Sequence, residues 1–267
     1  MHLKKSTISA IIILVGLATI VVMSGLNFLM PKNTQTDGDN YTDTREYKTM
    51  NKIFLSTKDD VKIAADLYEV ENPAGWLVLI HMMPAMKESW LNPAEEFANQ
   101  GYESIAIDLR GHGESDEGPD GYKSFSDSQH QKSILDLEAA ANYLIQDRGA
   151  TQDKISFIGA SIGANLSLQY ISENPEFKTA VLLSPGLNYR GIKTEPLVKN
   201  LKAGQKVFFI SSRDDGENAG ENQKLYDLAL AGIEKEIKIY EAAGHGTTIL
   251  EKESELKNLI LEFLRVK

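Results

Sequence analysis

Short apolar runs alternate with longer amphipathic stretches along most of this chain. The runs are Trp76–His81, Tyr102–Leu109, Lys154–Ala160, Lys178–Ser184, Lys206–Ser212 and Glu236–Ala242. Between them, Pro93–Gln100, Asp127–Gln146, Ile162–Glu173, Glu217–Leu230 and Thr248–Val266 have helical spacing. In the second of these, Ile134, Leu135, Leu137, Ala141, Leu144 and Ile145 recur at three- and four-residue steps. Ahead of the alternation, Lys52–Ser56 and Val61–Glu69 read as a hairpin around Thr57-Lys58-Asp59-Asp60. Strands alternating with helices imply a mostly parallel sheet covered on both faces. Strands buried on both faces must be continuously apolar, as WLVLI and VFFI are. The pattern therefore predicts an α/β fold over residues 51–267, with a mostly parallel central sheet behind an antiparallel hairpin.

The N-terminus departs from that alternation. From Ile8 to Met30 the chain runs 23 residues without a charged side chain. A helix rising about 1.5 Å per residue crosses a hydrocarbon core of ~30 Å in that length. The stretch is apolar on all faces, which argues for an uncleaved signal-anchor, a transmembrane helix, over a buried core helix. A secretory signal cleaved after Val22-Met23-Ser24 is the alternative. Lys4 and Lys5 precede the stretch, whereas Lys32 alone follows it before Asp37, Asp39 and Asp43. The positive-inside rule then leaves the N-terminus in the cytoplasm and the rest outside. Residues 31–50 are polar and without periodicity, as a flexible linker is. The expected organisation is thus an anchor over 1–30, a linker over 31–50 and one domain over 51–267.

Charge and composition narrow the function. The chain carries 28 basic and 38 acidic residues, a net charge of −10, which argues against phosphate-backbone binding as its task. It has no cysteine, so disulfides, thiolate metal sites and thiol nucleophiles are excluded. It has no His-x-x-x-His or comparable ligand spacing either, so neither metal nor cofactor is expected.

The strand KISFIGA runs straight into Gly159-Ala160-Ser161-Ile162-Gly163 and then into a helical pattern. Gly-x-Ser-x-Gly between an apolar strand and a helix is the pattern of a nucleophile elbow. A serine on so sharp a turn needs tiny neighbours two residues away on each side. The same turn aims the Ile162 amide and the helix N-terminus at negative charge growing beside Ser161. The competing reading is a tight turn whose serine merely caps the helix.

The remaining chemistry supports the elbow. A serine nucleophile needs a base, and in sheets of this kind the order is serine, acid, histidine. His245, in Gly244-His245-Gly246, lies downstream of Ser161 on a loop after a strand. His112, in Gly111-His112-Gly113, precedes the serine and reads as loop packing. His130 reads as a solvated surface residue. KVFFISS is followed by Arg213-Asp214-Asp215, where Asp215 is favoured as the acid and Asp214 is the fallback. The loop after WLVLI, beginning His81-Met82-Met83, would supply a second oxyanion amide, from Met83 or alternatively Met82.

Taken together, the segments LVLIHMMPAMKESW, AIDLRGHGES, GASIG, ISSRDD and AAGHG resemble the α/β-hydrolase superfamily, in its dienelactone-hydrolase-like and serine-aminopeptidase-like esterase branch. The resemblance covers residues 52–266. It places the acid three positions after Ser212, at Asp215. It also implies a His-Gly-x oxyanion loop, where this chain has Met82 in place of the glycine. The implied activity is carboxylic ester hydrolysis on a small-molecule substrate through Ser161, His245 and Asp215, with Ile162 and Met83 as the oxyanion hole. A peptidase or amidase with the same triad is the alternative, as is a silent hydrolase fold serving as a tethered binding module. Only Pro185–Gln205 is available where family members insert a lid, so a minimal lid and an open site are expected.

Overall fold

Residues 47–265 are described by the computed structural model. The apolar stretch 8–30, with its signal-anchor reading, and the linker as far as residue 46 lie outside the described residues. Among the described residues, no helix is long and apolar enough to cross a membrane.

The chain opens with three strands, β1 (Tyr47–Ser56), β2 (Lys62–Val70) and β3 (Gly75–Ile80). Helix α1 (Leu91–Asn99) and strand β4 (Tyr102–Ile107) follow, then α2 (Asp127–Gln131) and α3 (Ile134–Arg148). The centre is β5 (Ile155–Ala160), α4 (Ile162–Glu173) and β6 (Thr179–Leu183). A small hairpin, β7 (Asn188–Tyr189) and β8 (Ile192–Lys193), leads into α5 (Thr194–Asn200). The chain ends with β9 (Lys206–Ser212), α6 (Asn218–Leu228), β10 (Glu234–Tyr240), α7 (Thr248–Lys252) and α8 (Leu256–Leu264).

Eight strands share one sheet in the order β1-β2-β4-β3-β5-β6-β9-β10. β2 pairs antiparallel with both β1 and β4, and every pair from β4 to β10 is parallel. Strand periodicity divides the buried side chains between two cores. Trp76, Val78, Ile80 and Phe157 face the layer of α3, α4, α5 and α6. Leu77, Leu79, Ile158 and Ala160 face α1, α7 and α8. A Val, Leu, Ile or Phe side chain fully removed from water stabilises the fold by roughly 1.5–3 kcal/mol, which favours burying β3, β5 and β6 end to end. The edge strand β10 is more exposed and carries Lys235, Glu236 and Lys238, charges that discourage further pairing.

Several sequence expectations are corrected. β1 begins at Tyr47 and pairs with β2 from Val70 onward, so residues 47–50 belong to the sheet and not to the linker. The helix expected over Asp127–Gln146 is two helices. Ser126 caps α2 through a capping box, and the first turn of α3 is tied elsewhere, with Asp136 accepting from Arg110 N and Nε, both at 2.9 Å. The last helix breaks between α7 and α8, where Glu253 leaves the helical backbone at φ −110° and ψ 86°. His130, expected on the surface, is 2% exposed and set edge-on to Phe125 at 5.5 Å.

Candidate active site

Ser161, Asp215, His245 and the segment His81-Met82-Met83 all sit at the C-terminal ends of the parallel strands. Ser161 follows β5 with φ 55° and ψ −118°, a left-handed conformation that costs a non-glycine residue about 1–3 kcal/mol. Backbone contacts hold it there. Ser161 N–H donates to Leu183 O at 2.8 Å, and Ser161 O accepts from Ala164 N and Asn165 N. Both flanking glycines are required by close approach. A Cβ on Gly159 would strike the Gly163 carbonyl, and one on Gly163 would lie 2.5 Å from Ile80 O and 2.7 Å from His81 O. The start of α4 is thereby pressed against the end of β3, where the segment His81-Met82-Met83 begins.

His245 lies on the loop after β10 and Asp215 on the loop after β9. His245 Nδ1–H donates to Asp215 Oδ2 at 2.5 Å. The histidine turn is fastened on both sides. Gly246 N–H donates to Ser184 Oγ at 3.0 Å, and a Cβ on Gly246 would lie 3.4 Å from Ala160 Cβ, so the turn rests against the residue before Ser161. Among the described residues, no hydrogen bond joins Ser161 Oγ to His245. Asp214 does different work. Its carboxylate accepts from Ser212 Oγ and, at 3.0 Å, from Gly244 N, and these bonds hold its pKa below the usual range. Ser212 Oγ also accepts from Ala243 N at 2.8 Å.

The loop after β3 is set by His81, which is fully buried. Its Nε2 accepts from Leu109 N at 3.0 Å, so the proton is on Nδ1, which donates to Met82 O at 2.9 Å. Burial pushes its pKa down, keeping the ring neutral. With the Met82 carbonyl turned to His81, the N–H of Met83 in the same trans peptide points the opposite way. Ile162 is the first residue of α4, so its N–H has no partner within the helix. Beneath the loop, His112 stacks on Tyr122 at 4.0 Å and meets His81 edge-on at 4.8 Å, which makes it the packing residue expected.

A family model described as serine aminopeptidase, S33, matches residues 71–213, more than half of the chain. The chain belongs to that family. No curated protein matches it in sequence. As a member of this hydrolase family it also has solved structural relatives. It is similar to an esterase from Pyrococcus furiosus, with TM-score 0.67 and 23% identity over 82% of this chain and 92% of that one. It is similar to a dienelactone hydrolase from Anabaena variabilis, with TM-score 0.65 and 16% identity over 80% and 94% of the two chains. It is similar as well to an esterase from Exiguobacterium antarcticum, with TM-score 0.62 and 14% identity over 80% and 99%. At these identities the likeness establishes the fold.

Other residues that frame this hydrolase's site were not singled out from the sequence. Lys87 is 1% exposed and Asp108 is fully buried. The Asp108 carboxylate accepts from Lys87 N at 2.8 Å, Lys87 Nζ at 3.1 Å and Glu114 N at 3.0 Å, joining the loop after β3 to the segment GHGES. Burial works to strip the proton from Lys87, but Glu88, Glu114 and Asp108 outweigh it and hold the ammonium above its usual range. A second device is a strap, Pro185–Leu187, clamped by buried asparagines. Asn165, four residues after Ser161, donates to Gly186 O and Ile192 O and accepts from Gly186 N, at 3.0–3.1 Å. Asn218 and Asn222, on α6 just past Asp215, donate to Pro185 O at 2.9 and 3.0 Å. The strap thus ties the helix after the serine to the helix after the acid. Its one sequence signal is the set of three asparagines on otherwise packed helix faces. Tyr189, next along the segment, has its hydroxyl pKa pushed up to about 12 by burial and then by the charge on Asp215. Among the described residues, no group of three or more His, Asp or Glu is arranged to hold a metal ion.

Proposed function

We propose that this hydrolase cleaves carboxylic esters by acyl transfer from Ser161 to water. The observation that carries the reading is the Nδ1–H bond from His245 to Asp215, on a turn that leans on Ala160. With that proton held on Nδ1, Nε2 is the free base that takes the Ser161 proton as Oγ attacks the carbonyl. Asp215 fixes the tautomer and stabilises the imidazolium that forms. The unpaired Ile162 N–H and the Met83 N–H turned away from His81 support an oxyanion hole made of those two amides. Losing one of its donors costs on the order of 10²–10³ in turnover. His245 then returns the proton to the leaving alkoxide, and water repeats the sequence on the acyl-enzyme.

The segment between β6 and β9 holds only the β7–β8 hairpin and α5, which favours short or accessible acyl groups. The family description favours a second reading, amide or peptide hydrolysis by the same residues. One experiment decides between them. Fluorophosphonate labelling, combined with p-nitrophenyl ester and aminoacyl amide turnover, should give labelling that Ser161→Ala abolishes and ester rates above amide rates. Labelling that survives Ser161→Ala overturns the mechanism, and faster amide turnover replaces ester with amide. We further propose that residues 8–30 anchor the chain with its hydrolase domain outside the cytoplasm. Mass spectrometry of the mature N-terminus tests this, because a start near Gly25 means a cleaved signal.

A further inference from the structure

We propose that Met82 is an oxidation site through which peroxides turn this hydrolase down, an inference that rests on His245 acting as the base for Ser161. Met82 stands where the family pattern has glycine, and its side chain has a particular seat. A Cβ built on Gly246 would lie 2.5 Å from Met82 Sδ, so the thioether occupies the room that the missing side chain of Gly246 leaves. Gly246 directly follows His245. The other side of Met82 packs on the apolar cluster that includes Ala160, Ala243, Ile249 and Leu250. Met82 is therefore the wedge between the oxyanion loop, the histidine turn and the strand that ends at Ser161.

The wedge is also reachable. Met82 is half-buried, so part of the residue is open to solvent and to a molecule as small as a peroxide. The chain has no cysteine, so no thiol within it competes for the oxidant. In the reaction the sulfur lone pair attacks the peroxide, the O–O bond breaks and one S–O bond forms. The sulfur is oxidised by two electrons, and hydrogen peroxide is reduced to one water. The product carries a polar oxygen in a seat made of apolar atoms and the bare Gly246 backbone. The Gly246 amide cannot serve it, because that N–H is already given to Ser184 Oγ at 3.0 Å. The added oxygen thus pushes the turn outward, breaks the bond to Ser184 and carries His245 away from Ser161. Met86, 40% exposed on the same loop, is open to the same oxidant without such a seat.

The test uses the full chain, treated with hydrogen peroxide and mapped by peptide mass spectrometry. Ester turnover is read as a fraction of each protein's own untreated rate. Parent protein with the sulfoxide at Met82 should lose about 10²-fold, the scale for a catalytic group displaced by 1 Å. Met82→Leu should keep its rate under the same treatment, while Met86→Leu should lose activity like the parent. Methionine sulfoxide reductases of both epimer specificities should restore the oxidised parent, a readout that depends on no variant folding. Full turnover with Met82 fully oxidised overturns the proposal, as does oxidation that reaches Met86 and spares Met82, or equal loss in Met82→Leu. An untreated chain that neither takes the fluorophosphonate label nor turns over esters sinks the hydrolase reading itself. Activity that survives oxidation of Met82 sinks only this inference.

Discussion

The serine elbow and the acid–histidine turns lie along one edge of the same sheet and are held in opposite ways. The elbow is a steric construction. Gly159 and Gly163 admit carbonyl groups where a side chain would stand, and the Ser161 backbone is locked at φ 55°. The turns after β9 and β10 are a polar construction, in which Ser212 Oγ, the Asp214 carboxylate and Ser184 Oγ each take a backbone amide. Single hydrogen bonds of that kind contribute about 1 kcal/mol each, whereas backbone pressed on backbone has nowhere to give. The elbow should therefore tolerate almost no change, and the turns should degrade by steps.

The largest expected effect separates the two aspartates within the polar half. Asp215→Asn should lower kcat by about 10⁴-fold with an unchanged urea midpoint, because it removes the acceptor that fixes the His245 tautomer. An equal or larger loss in Asp214→Asn would reverse their roles.

The steric half should be the more sensitive to acid, because the loop after β3 on which Gly163 rests packs over buried imidazoles. Burial, helped by His81, lowers the pKa of His112 to about 4, and burial lowers His81 as well. The unfolded chain protonates these rings near 6.5, so it binds more protons than the native chain between pH 6.5 and 4. The stability they contribute is complete above pH 6.5 and is lost as the pH falls through that window. For His112 alone the loss is on the order of 3 kcal/mol. Urea unfolding across this range measures it, and His112→Phe should flatten the slope; an unchanged slope removes His112 as the cause.

Within the elbow, Gly163→Ala should destabilise the fold by about 1–3 kcal/mol, since the new Cβ meets two backbone carbonyls and not a flexible side chain. A near-neutral result in urea unfolding would break the steric account. The smallest effect belongs to Asp214→Asn, with about a tenfold drop in ester kcat, short of the ~10² expected for a displaced catalytic group. A drop much larger than that would mean the turn is no more adaptable than the elbow.

These two constructions differ in how far they could be read from the chain. The elbow was legible because its constraint is local, with two glycines at fixed distances from Ser161 between an apolar strand and a helix. That Asp215 and His245 would meet was legible through chain order and strand ends. The clamp of Asn165, Asn218 and Asn222 was not, because its partners Pro185 and Gly186 lie 21–37 residues away along the chain. The Lys87–Asp108 pair was equally hidden. A lysine in a loop reads as solvated until Asp108 and Glu114 are folded around it. His130 was misread for the same reason, since a polar helix start gives no sign that Phe125 folds over it.

Residue pattern alone dictates the alternating strands and helices, the parallel sheet and the serine turn, because periodicity and glycine sterics act over a few neighbouring residues. Folding in three dimensions settles which aspartate meets His245, which peptide of His81-Met82-Met83 turns from the ring, and that Met82 fills the space beside Gly246. Those outcomes depend on loops from different strand ends arriving within hydrogen-bond or van der Waals distance, and no short-range pattern encodes that convergence.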